Sequence, residues 1–380
     1  MILFKQDFIL NKMNYDNLSK NKLIILCKTH NIKGYSNKNK SDIIQLLTNN
    51  IINNETPDEP EQTDMLNMID LFCGTGAFSL GFQQTNKFKP VFSNDMISSS
   101  KNIYDINFKH KLTLGDINDI DVEDIPNHDI LTGGFPCQPF SIAGNREGFN
   151  DERSNVFWKI IEILNHHKPR FFVLENVKNL LTHDNKNTFN TIKTNLKESG
   201  YLIIYNILDT AKITKIPQHR ERLYIVGFRD NEDYQKFVNL NGLNFPDEET
   251  LNISDMLEKN IDSKYYYTQD KYPNAWELIK DNIVKENTIY QYRRVYVREN
   301  KSNLCPTLTA NMGTGGHNVP LVLDTNGIRK LTPKECFNFQ GFPKSFKLPK
   351  ISDAQLYKLA GNAVSLPVVK LIANRITQIL

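Results

Sequence analysis

Short apolar runs alternate with amphipathic helical segments between residues 67 and 228, and this alternation constrains the fold more than any other feature. The predicted strands are 68–72, 90–93, 130–133, 171–175, 201–208 and 223–228, and the predicted helices are 97–107, 154–167 and 185–199. Strands that alternate with helices form a parallel sheet with helices on both faces. The sequence therefore predicts an α/β fold with a Rossmann-like, doubly wound, mostly parallel sheet.

Composition excludes several classes of protein. The chain has 380 residues and is 39% apolar, which is enough for two or three structural units. No run approaches the ~18 apolar residues of a membrane span, so no membrane partner is expected. The five cysteines are scattered and lack paired Cys-x-x-Cys spacing, which favours reduced thiols, no metal and an intracellular, soluble protein. The net charge of +3 does not by itself indicate nucleic acid.

The amino-terminal region differs in charge from the rest of the chain. Residues 1–50 hold eight Lys and three Asp, whereas residues 55–64 hold five acids, two prolines and no base. We predict a helical module at 15–50 and an acidic linker at 51–65. Ser19 or a nearby Asn is expected to cap the first helix of the module, and Ser41 the second. The stretch Leu18–Leu47 resembles a SAP domain, which implies DNA binding; a simple helical cap is the alternative. Beyond the linker we expect a catalytic domain at 66–240, a small domain at 241–327 and carboxyl-terminal motifs at 328–380.

A glycine turn follows the first predicted strand, in Asp70-Leu71-Phe72-Cys73-Gly74-Thr75-Gly76. Glycines at this point of a Rossmann-like sheet let a ligand approach the backbone, although the spacing differs from the dinucleotide fingerprint. Asp95, after the next strand, is placed to accept from ribose hydroxyls. Asp116 is placed to accept from an adenine amino group. Each of these acids alone has a helix cap as its alternative role.

Three further motifs supply a nucleophile, an acid and a cation. Cys137 follows a strand that ends in a double glycine, where such a sheet has its ligand crevice. A thiol there serves as a nucleophile if a neighbouring cation lowers its pKa; otherwise it is an inert small hydrophobe. Glu175 ends another core strand and is suited to donate to a ring nitrogen, or to form an ion pair. Arg220 and Arg222 share one side of an extended segment and suit the bracing of a base, or contact with phosphate.

With these motifs in order, the chain resembles the DNA cytosine-5 methyltransferases of bacterial restriction-modification systems. The resemblance covers residues from about 67 to 380 and includes 133–141, 175–177, 218–222, 329–336, 340–343 and 361–364. It implies a class I S-adenosylmethionine-dependent methyltransferase domain joined to a small target-recognition domain. The implied enzyme is a DNA (cytosine-5-)-methyltransferase that acts on double-stranded DNA with S-adenosylmethionine as cofactor.

The resemblance also implies roles for individual residues. Cys137 becomes the nucleophile that adds to C6 of a flipped cytosine, Glu175 the partner of N3, and Arg222 the stabilising cation, with Arg220 assisting. The residues implied at the cofactor are Phe72, Gly74, Gly76, Asp95, Met96, Asp116, Ile117 and Asn362. The polar segment 143–153 is expected to form a lid.

The aromatic and basic region at 241–327 is the predicted recognition region. Arg293, Arg294 and Arg298 suit bidentate contact with guanine, and Thr309 and Asn311 suit other bases or phosphate. Binding to phosphate alone is the alternative. We expect a monomer, with a cognate restriction endonuclease as a functional partner.

Four positions depart from the family pattern. Ala77 replaces a common glycine, Met96 stands where a tryptophan often covers adenine, and Ala143 stands where a relative uses serine. Lys215 replaces a glycine before Ile216-Pro217, and a catalytically impaired DNA-binding relative is therefore one alternative. The other alternative is the tRNA-acting branch of the family, whose Cys-Phe-Thr tripeptide is absent from this sequence.

Overall fold

The computed structural model describes residues 18–29, 33, 35–36, 38–54, 65–136, 155–293, 295–314 and 319–380. The chain divides into two compact units, Met1–Asp64 and Met65–Leu380. The helix Lys40–Asn54 extends into the predicted linker at 51–65, so the first residues of that segment are helical instead.

The amino-terminal unit contains helices α1 (Lys20–Thr29) and α2 (Lys40–Asn54). Leu23, Cys27, Ile43 and Leu47 form its buried core. Ser19 caps α1 weakly, through Oγ, which accepts from the Lys22 amide at 3.4 Å. The prediction that Ser41 caps α2 is wrong: the Asp42 amide donates to Asn39 Oδ1 at 2.9 Å, so Ser41 lies inside the helix. Asn39 caps the helix instead, because its side-chain oxygen accepts a hydrogen bond from a backbone amide as a serine hydroxyl does.

Seven strands form the main sheet of the second unit. They are β1 (Leu66–Leu71), β2 (Phe88–Asp95), β3 (Thr113–Leu114), β4 (Ile130–Gly134), β5 (Phe171–Val177), β6 (Leu202–Asp209) and β7 (Glu221–Phe228). Their order is β3-β2-β1-β4-β5-β7-β6, and β7 runs antiparallel to both of its neighbours. The predicted mostly parallel sheet is therefore confirmed, and β1 and β4 meet where the strand order reverses.

Helices cover both faces of this sheet. They are α3 (Ala77–Gln83), α4 (Ser98–Asn107), α5 (Asn155–His167), α6 (Asn187–Glu198), α7 (Thr210–Ile213) and α8 (Asn231–Asn239). One face of the sheet packs on α5 and α6 through residues such as Ile160 and Ile192. The other face packs on α3 and the last helix of the chain. Two buried apolar layers thus hold the carboxyl ends of the strands in place.

The rest of the unit contains a second, antiparallel sheet and the carboxyl-terminal helices. The strands are β8 (Tyr290–Arg293), β9 (Tyr296–Glu299), β10 (Leu321–Asp324) and β11 (Gly327–Lys330), in the order β11-β10-β8-β9. The helices are α9 (Ile253–Met256), α10 (Pro273–Ile279), α11 (Pro333–Phe339), α12 (Asp353–Asn362) and α13 (Leu366–Thr377). A Cβ on Gly81 would lie 2.5 Å from Val369, so α13 approaches α3 closely. The end of the chain thus returns to the first helix of the sheet.

Within the described residues, the stretch Asp353–Thr377 alone has the length and hydropathy of a membrane span. Its apolar window is 67% buried inside the protein. The stretch comprises α12 and α13, whose apolar side chains belong to the core.

Candidate active site

A cavity of about 400 Å³ lies at the carboxyl ends of β1, β2, β4 and β5. Its walls include Phe72, Gly74, Asp95, Met96, Pro136, Glu175, Arg220, Arg222 and Asn362. Most residues predicted for the cofactor and most predicted for catalysis therefore line one space. Cys137 itself lies outside the described residues, directly after the lining residue Pro136.

The glycine turn after β1 is held by Asp95. Its Oδ2 accepts from the Gly74 amide at 2.8 Å, and its Oδ1 accepts from the Ile97 amide at 2.8 Å. Burial raises the pKa of this carboxyl, although both hydrogen bonds oppose the shift. The carboxylate thus fixes the turn and also faces the cavity.

Not all the predicted cofactor residues face the cavity. Gly76, Asp116 and Ile117 do not line it. Gly76 has φ +76°, which favours glycine, and a Cβ there would lie 2.5 Å from the Phe108 ring. The backbone and the packing therefore require glycine at this position without any contact to a ligand. Asp116 accepts from the Asn118 amide at 2.9 Å, which is the helix-cap role that the sequence left open. Met96 lines the cavity and is 68% exposed.

A buried polar network beneath the glycine turn was not anticipated from the sequence. Asp70 is fully buried, and its Oδ2 accepts from the Ser79 amide at 3.0 Å and the Ser79 hydroxyl at 2.7 Å. Its Oδ1 accepts from Thr132 Oγ1 at 3.1 Å. The Tyr104 hydroxyl donates to Ser79 Oγ at 2.9 Å and lies 2.8 Å from Ser93 Oγ, so it extends the hydrogen-bonded network from Ser79 to Ser93. The network ties β1, β2 and β4 to α3 and α4 under the cavity.

Burial raises the pKa of Asp70 to about 7, against the hydrogen bonds from Ser79 and Thr132. Between pH 4 and 7 the native protein therefore holds a proton that the unfolded chain has released, so the free energy of unfolding falls as pH rises. Asp70→Asn keeps the shape and can still accept from Ser79, but it cannot ionise. Its amide nitrogen would donate to Thr132 Oγ1, whose own proton can go to the Ile69 carbonyl. We expect wild type to lose on the order of 2 kcal/mol between pH 5 and 8 through this group, and the variant to lack that slope. Urea unfolding across this range measures it; identical slopes would contradict the assignment.

Glu175 and Arg222 form an ion pair in the cavity wall. Arg222 Nε lies 3.1 Å from Glu175 Oε1, and both side chains are largely buried. Burial raises the pKa of Glu175, while the charges of Arg222 and Arg220 oppose the rise. A Cβ on Gly134 would lie 3.4 Å from Glu175 Oε2, so glycine leaves room for the carboxyl. A carboxyl with a raised pKa, held by a cation, is suited to donate a proton to a ring nitrogen.

Arg220 is anchored differently from Arg222. Its guanidinium donates to the carbonyl oxygens of Leu308, Gly361 and Ala363 at 3.0, 3.3 and 2.8 Å. The side chain is buried, its Nε finds no partner among the described residues, and burial lowers its pKa to about 9. These hydrogen bonds of Arg220 therefore connect the segment that precedes Thr309 to the part of the cavity wall that contains Asn362. This geometry favours a positioning role over the assisting catalytic role expected from the sequence.

Arg220→Lys is expected to weaken binding of S-adenosylhomocysteine at least about tenfold, because one ammonium cannot hold three carbonyls in the guanidinium's planar geometry. Loss of these buried charged hydrogen bonds should also lower the free energy of unfolding by about 2 kcal/mol. Calorimetric titration and urea unfolding measure the two effects. Arg229→Lys is the matched control, since Arg229 is exposed and donates to a single carbonyl, that of Lys168. Equal ligand affinity in all three proteins would exclude the positioning role.

The backbone at Lys215 is compatible with the ion pair between Arg222 and Glu175. Lys215 is exposed, has no positive φ, and its carbonyl accepts from the Leu251 amide at 2.8 Å. The start of β7 is fixed instead by Asp209, whose Oδ1 accepts from the Arg220 amide at 3.0 Å. The Arg222 to Glu175 pair is therefore formed with lysine at position 215, and glycine is not required there.

The residues predicted for base contacts lie on separate elements. Arg293 ends β8 and Arg298 lies in β9, and both are exposed. Thr309 and Asn311 are exposed in the loop beside the cavity, with Thr309 Oγ1 donating to Asn311 Oδ1 at 2.5 Å. A Cβ on Gly361 would collide with the Thr309 carbonyl, which places this loop against the end of α12. Arg294 and Ala143 lie outside the described residues.

The family model of the C-5 cytosine-specific DNA methylases matches residues 66–378. The chain belongs to this family. The methylase transfers a methyl group from S-adenosylmethionine to C5 of cytosine in DNA. The match begins at β1, so the amino-terminal unit lies outside it.

Curated relatives cover the same part of the methylase. The Type II methyltransferase M.Bsp6I of Bacillus sp. (strain RFL6) is 50% identical over 317 residues, which are 82% of this chain and 98% of the relative. The Type II methyltransferase M.SsoII of Shigella sonnei is 40% identical over 325 residues, 85% of this chain and 83% of the relative.

Solved structures agree with the fold of the methylase. The S. pombe Dnmt2 methyltransferase superposes with a TM-score of 0.63 at 21% identity, covering 82% of this chain and 99% of that one. A putative DNA modification methyltransferase encoded in an E. coli prophage gives a TM-score of 0.59 at 18% identity, with 83% and 99% covered. At these identities the likeness shows the fold, a class I S-adenosylmethionine-dependent methyltransferase.

Proposed function

We propose that the methylase modifies one cytosine within a specific short duplex DNA sequence, through a covalent bond between Cys137 and C6 of the base. The observation that carries this proposal is the single cavity that joins the glycine turn after β1 to the Glu175 and Arg222 pair beside Pro136. Cytosine C5 becomes nucleophilic only after addition at C6, so a thiolate and a proton donor must meet at one ring.

The steps follow from the chemistry of these side chains. The Cys137 thiolate adds to C6 while the Glu175 carboxyl gives its proton to N3, which keeps charge from accumulating on the ring. Arg222 stabilises the carboxylate that remains. C5 then takes the methyl group as the bond from that group to the sulfonium sulfur breaks, and a base removes the C5 proton. N3 returns its proton to the Glu175 carboxylate as the thiolate leaves and the C5–C6 double bond re-forms. The products are 5-methylcytosine and S-adenosylhomocysteine.

The cavity fits S-adenosylmethionine, which supplies an electrophilic methyl group when bound. Phe72, Gly74, Asp95, Met96 and Asn362 line it and are proposed to hold the cofactor. Thr75 also lines it, and its buried hydroxyl has no partner among the described residues. Gly76 is proposed to contribute to cofactor binding through the shape of the turn. Asp116 and Ile117 are proposed to contribute to it through the conformation of the loop after β3.

The target base must leave the DNA stack to reach such a cavity, at a cost of a few kcal/mol in unstacking. The segment 143–153, outside the described residues, remains the predicted lid that closes over the DNA. We propose that the domain boundaries at 240 and 327 separate this catalytic part from the recognition part.

DNA and tRNA are distinguishable as substrates. Labelled methyl groups from S-adenosylmethionine should enter duplex DNA and leave tRNA unlabelled. Labelling of tRNA with none in DNA would overturn the proposal and favour the tRNA-acting branch.

We also propose that the amino-terminal unit adds a second DNA contact. Its charge over residues 1–50 is positive, and it lies outside the part that matches the family. Deletion of residues 1–60 should weaken DNA binding and flatten its salt dependence, because fewer phosphates are neutralised, while turnover at saturating DNA is unchanged. Titration at several salt concentrations measures this. Equal affinity at every concentration would leave the unit as a simple helical cap.

The relatives, which are named Type II methyltransferases, support a proposal for the cellular role. We propose that this chain acts as an intracellular, soluble monomer that marks DNA against a cognate restriction endonuclease. Host DNA from cells that express the methylase should resist an endonuclease with the same target.

A further inference from the structure

Four polar side chains at the end of β5 and the start of β7 lie on one face of the main sheet. The register pairs Glu175 directly with Tyr224, and directly opposed residues share a face. Arg220, directly before β7, and Arg222 follow the two-residue alternation that puts them on that face with Tyr224. Burial raises the pKa of Tyr224, and the charge of Glu175 raises it further. The charges of Arg220 and Arg222 lower it, so the phenol lies near all three groups.

The Tyr224 hydroxyl is buried and has no hydrogen-bond partner among the described residues. The side chain is 1% exposed and belongs to the apolar layer that α3 and α13 cover. Phenylalanine would fill the same space without the free-energy cost of a buried, unpaired O–H group. Buried polar groups are, with few exceptions, hydrogen-bonded to protein or to ordered water. The hydroxyl therefore indicates a partner beside it.

A second buried donor lies near this hydroxyl. Arg220 uses its two terminal nitrogens on backbone carbonyls, whereas its Nε has no partner among the residues that the structure describes. Burial lowers the pKa of Arg220, and the neighbouring Tyr224 opposes that shift. Glu175 supplies an acceptor, because a carboxylate has about four lone-pair sites and Arg222 Nε contacts Oε1 at 3.1 Å. Two unpaired donors and a carboxylate with free capacity thus lie in one buried region.

We propose that the Tyr224 hydroxyl and Arg220 Nε donate to one buried water, which in turn donates to the Glu175 carboxylate and fixes its orientation. A buried water makes about three hydrogen bonds, which matches two donors and one acceptor. Tyr224 is then a positioning residue, since it acts on the reaction through Glu175. The inference rests on the proposed function, in which Glu175 gives a proton to N3 of the base.

This water stabilises the ionised form of Glu175, because hydrogen bonds to a carboxylate favour its charge. Methyl transfer needs the protonated carboxyl, so the rate falls as pH rises through the pKa of Glu175. Without the Tyr224 hydroxyl that pKa is higher, and the fall in rate comes at a higher pH.

The other groups around Glu175 stay the same in a protein that lacks this hydroxyl. Burial raises the pKa of Glu175, and within the described part of the chain the charges of Arg222 and Arg220 lower it. Further titratable or charged side chains line the cavity at the turn after β1, at the end of β2 and in α12, namely Cys73, Asp95 and Lys358. A change in the pKa of Glu175 on loss of the hydroxyl alone therefore reports the contact through water.

Tyr224→Phe in the full chain tests the proposal, with single-turnover rates on duplex DNA from pH 5 to 9. We expect the fall in rate to move up by at least about half a pH unit, given the strength of hydrogen bonds to charged groups. In the Glu175→Gln background the same substitution should leave the pH profile unchanged, because the carboxyl that it acts through is gone. Urea should unfold Tyr224→Phe at a lower concentration than wild type, since a satisfied hydrogen bond is lost.

Tyr201→Phe is the matched control. Tyr201 is also buried, but it belongs to the opposite apolar layer, and its hydroxyl donates to the Pro169 carbonyl at 2.8 Å. It does not line the cavity. This variant should also unfold at a lower urea concentration, while its pH profile should equal that of wild type. Loss of stability alone is thereby separated from the effect on Glu175.

Four results would count against the water-mediated contact. An unchanged pH profile in Tyr224→Phe overturns this inference alone, and so does an equal shift in Tyr201→Phe or in the Glu175→Gln background. A urea midpoint of Tyr224→Phe above that of wild type overturns it as well, because the hydroxyl would then be unpaired in the native protein. A wild-type protein that methylates no duplex DNA overturns the proposed function and this inference with it.

Discussion

Replacing Cys137 with serine is expected to lower methyl transfer to DNA by at least about a thousandfold, because a serine hydroxyl is scarcely ionised at neutral pH and adds poorly to C6. The side chain differs by one atom, so the variant should still bind DNA and the cofactor. Transfer of labelled methyl groups under single-turnover conditions measures the chemical step. Calorimetric titration with S-adenosylhomocysteine should give wild-type affinity.

Cys27→Ser is the matched control for the loss of a thiol. Cys27 is buried in the core of the amino-terminal unit, and burial raises its pKa, so it is not a nucleophile. Transfer by this variant should equal that of wild type. Undiminished transfer by Cys137→Ser would refute the covalent mechanism.

Glu175→Gln is expected to slow methyl transfer by about 10²- to 10⁴-fold, the usual contribution of a positioned acid. Glutamine fills the same volume beside Gly134 and donates a hydrogen bond, but it cannot give up a proton to N3. Since burial raises the pKa of Glu175, the wild-type rate should fall as pH rises through that pKa. The variant should lose this limb of the profile. Single-turnover rates from pH 5 to 9 measure both effects.

Glu221→Gln serves as the control for the loss of a carboxylate near Arg222. Glu221 pairs with Lys178 at 2.9 Å on the surface and does not line the cavity. Surface ion pairs of this kind contribute little to the free energy of unfolding, so the variant should remain folded. It should also keep the wild-type rate and pH profile. Equal profiles for wild type and Glu175→Gln would exclude Glu175 as the proton donor.

Six of the seven strands of the main sheet and three of its six helices were predicted, because their patterns are local; the short β3, α3, α7 and α8 were not predicted. A buried parallel strand such as 171–175 reads as a continuous apolar run, and glycine at its neighbour's end marks the crevice. The cap of α2 was assigned to Ser41 rather than Asn39, since both residue types cap helices and the boundary between them is not encoded sharply.

The hydrogen bonds that position the site were less predictable, because they join residues far apart in the chain. Arg220 was recognised as part of a motif, but its bonds to Leu308, Gly361 and Ala363 depend on how the carboxyl-terminal segment returns. Asp70 looked like one residue of a glycine turn, although it centres a buried network. The doubt about Lys215 arose from a motif difference, whereas the backbone there has no positive φ and so does not require glycine.

Methylation of cytosine at C5 within one duplex sequence is the activity that we assign to this cavity. The most direct test is bisulfite sequencing of random duplex DNA after incubation with the purified chain and S-adenosylmethionine. We expect protected cytosines at a single recurring short sequence with the wild-type protein, and none with Cys137→Ser. Absence of protected cytosines with the wild type, or protection that Cys137→Ser retains, would contradict it.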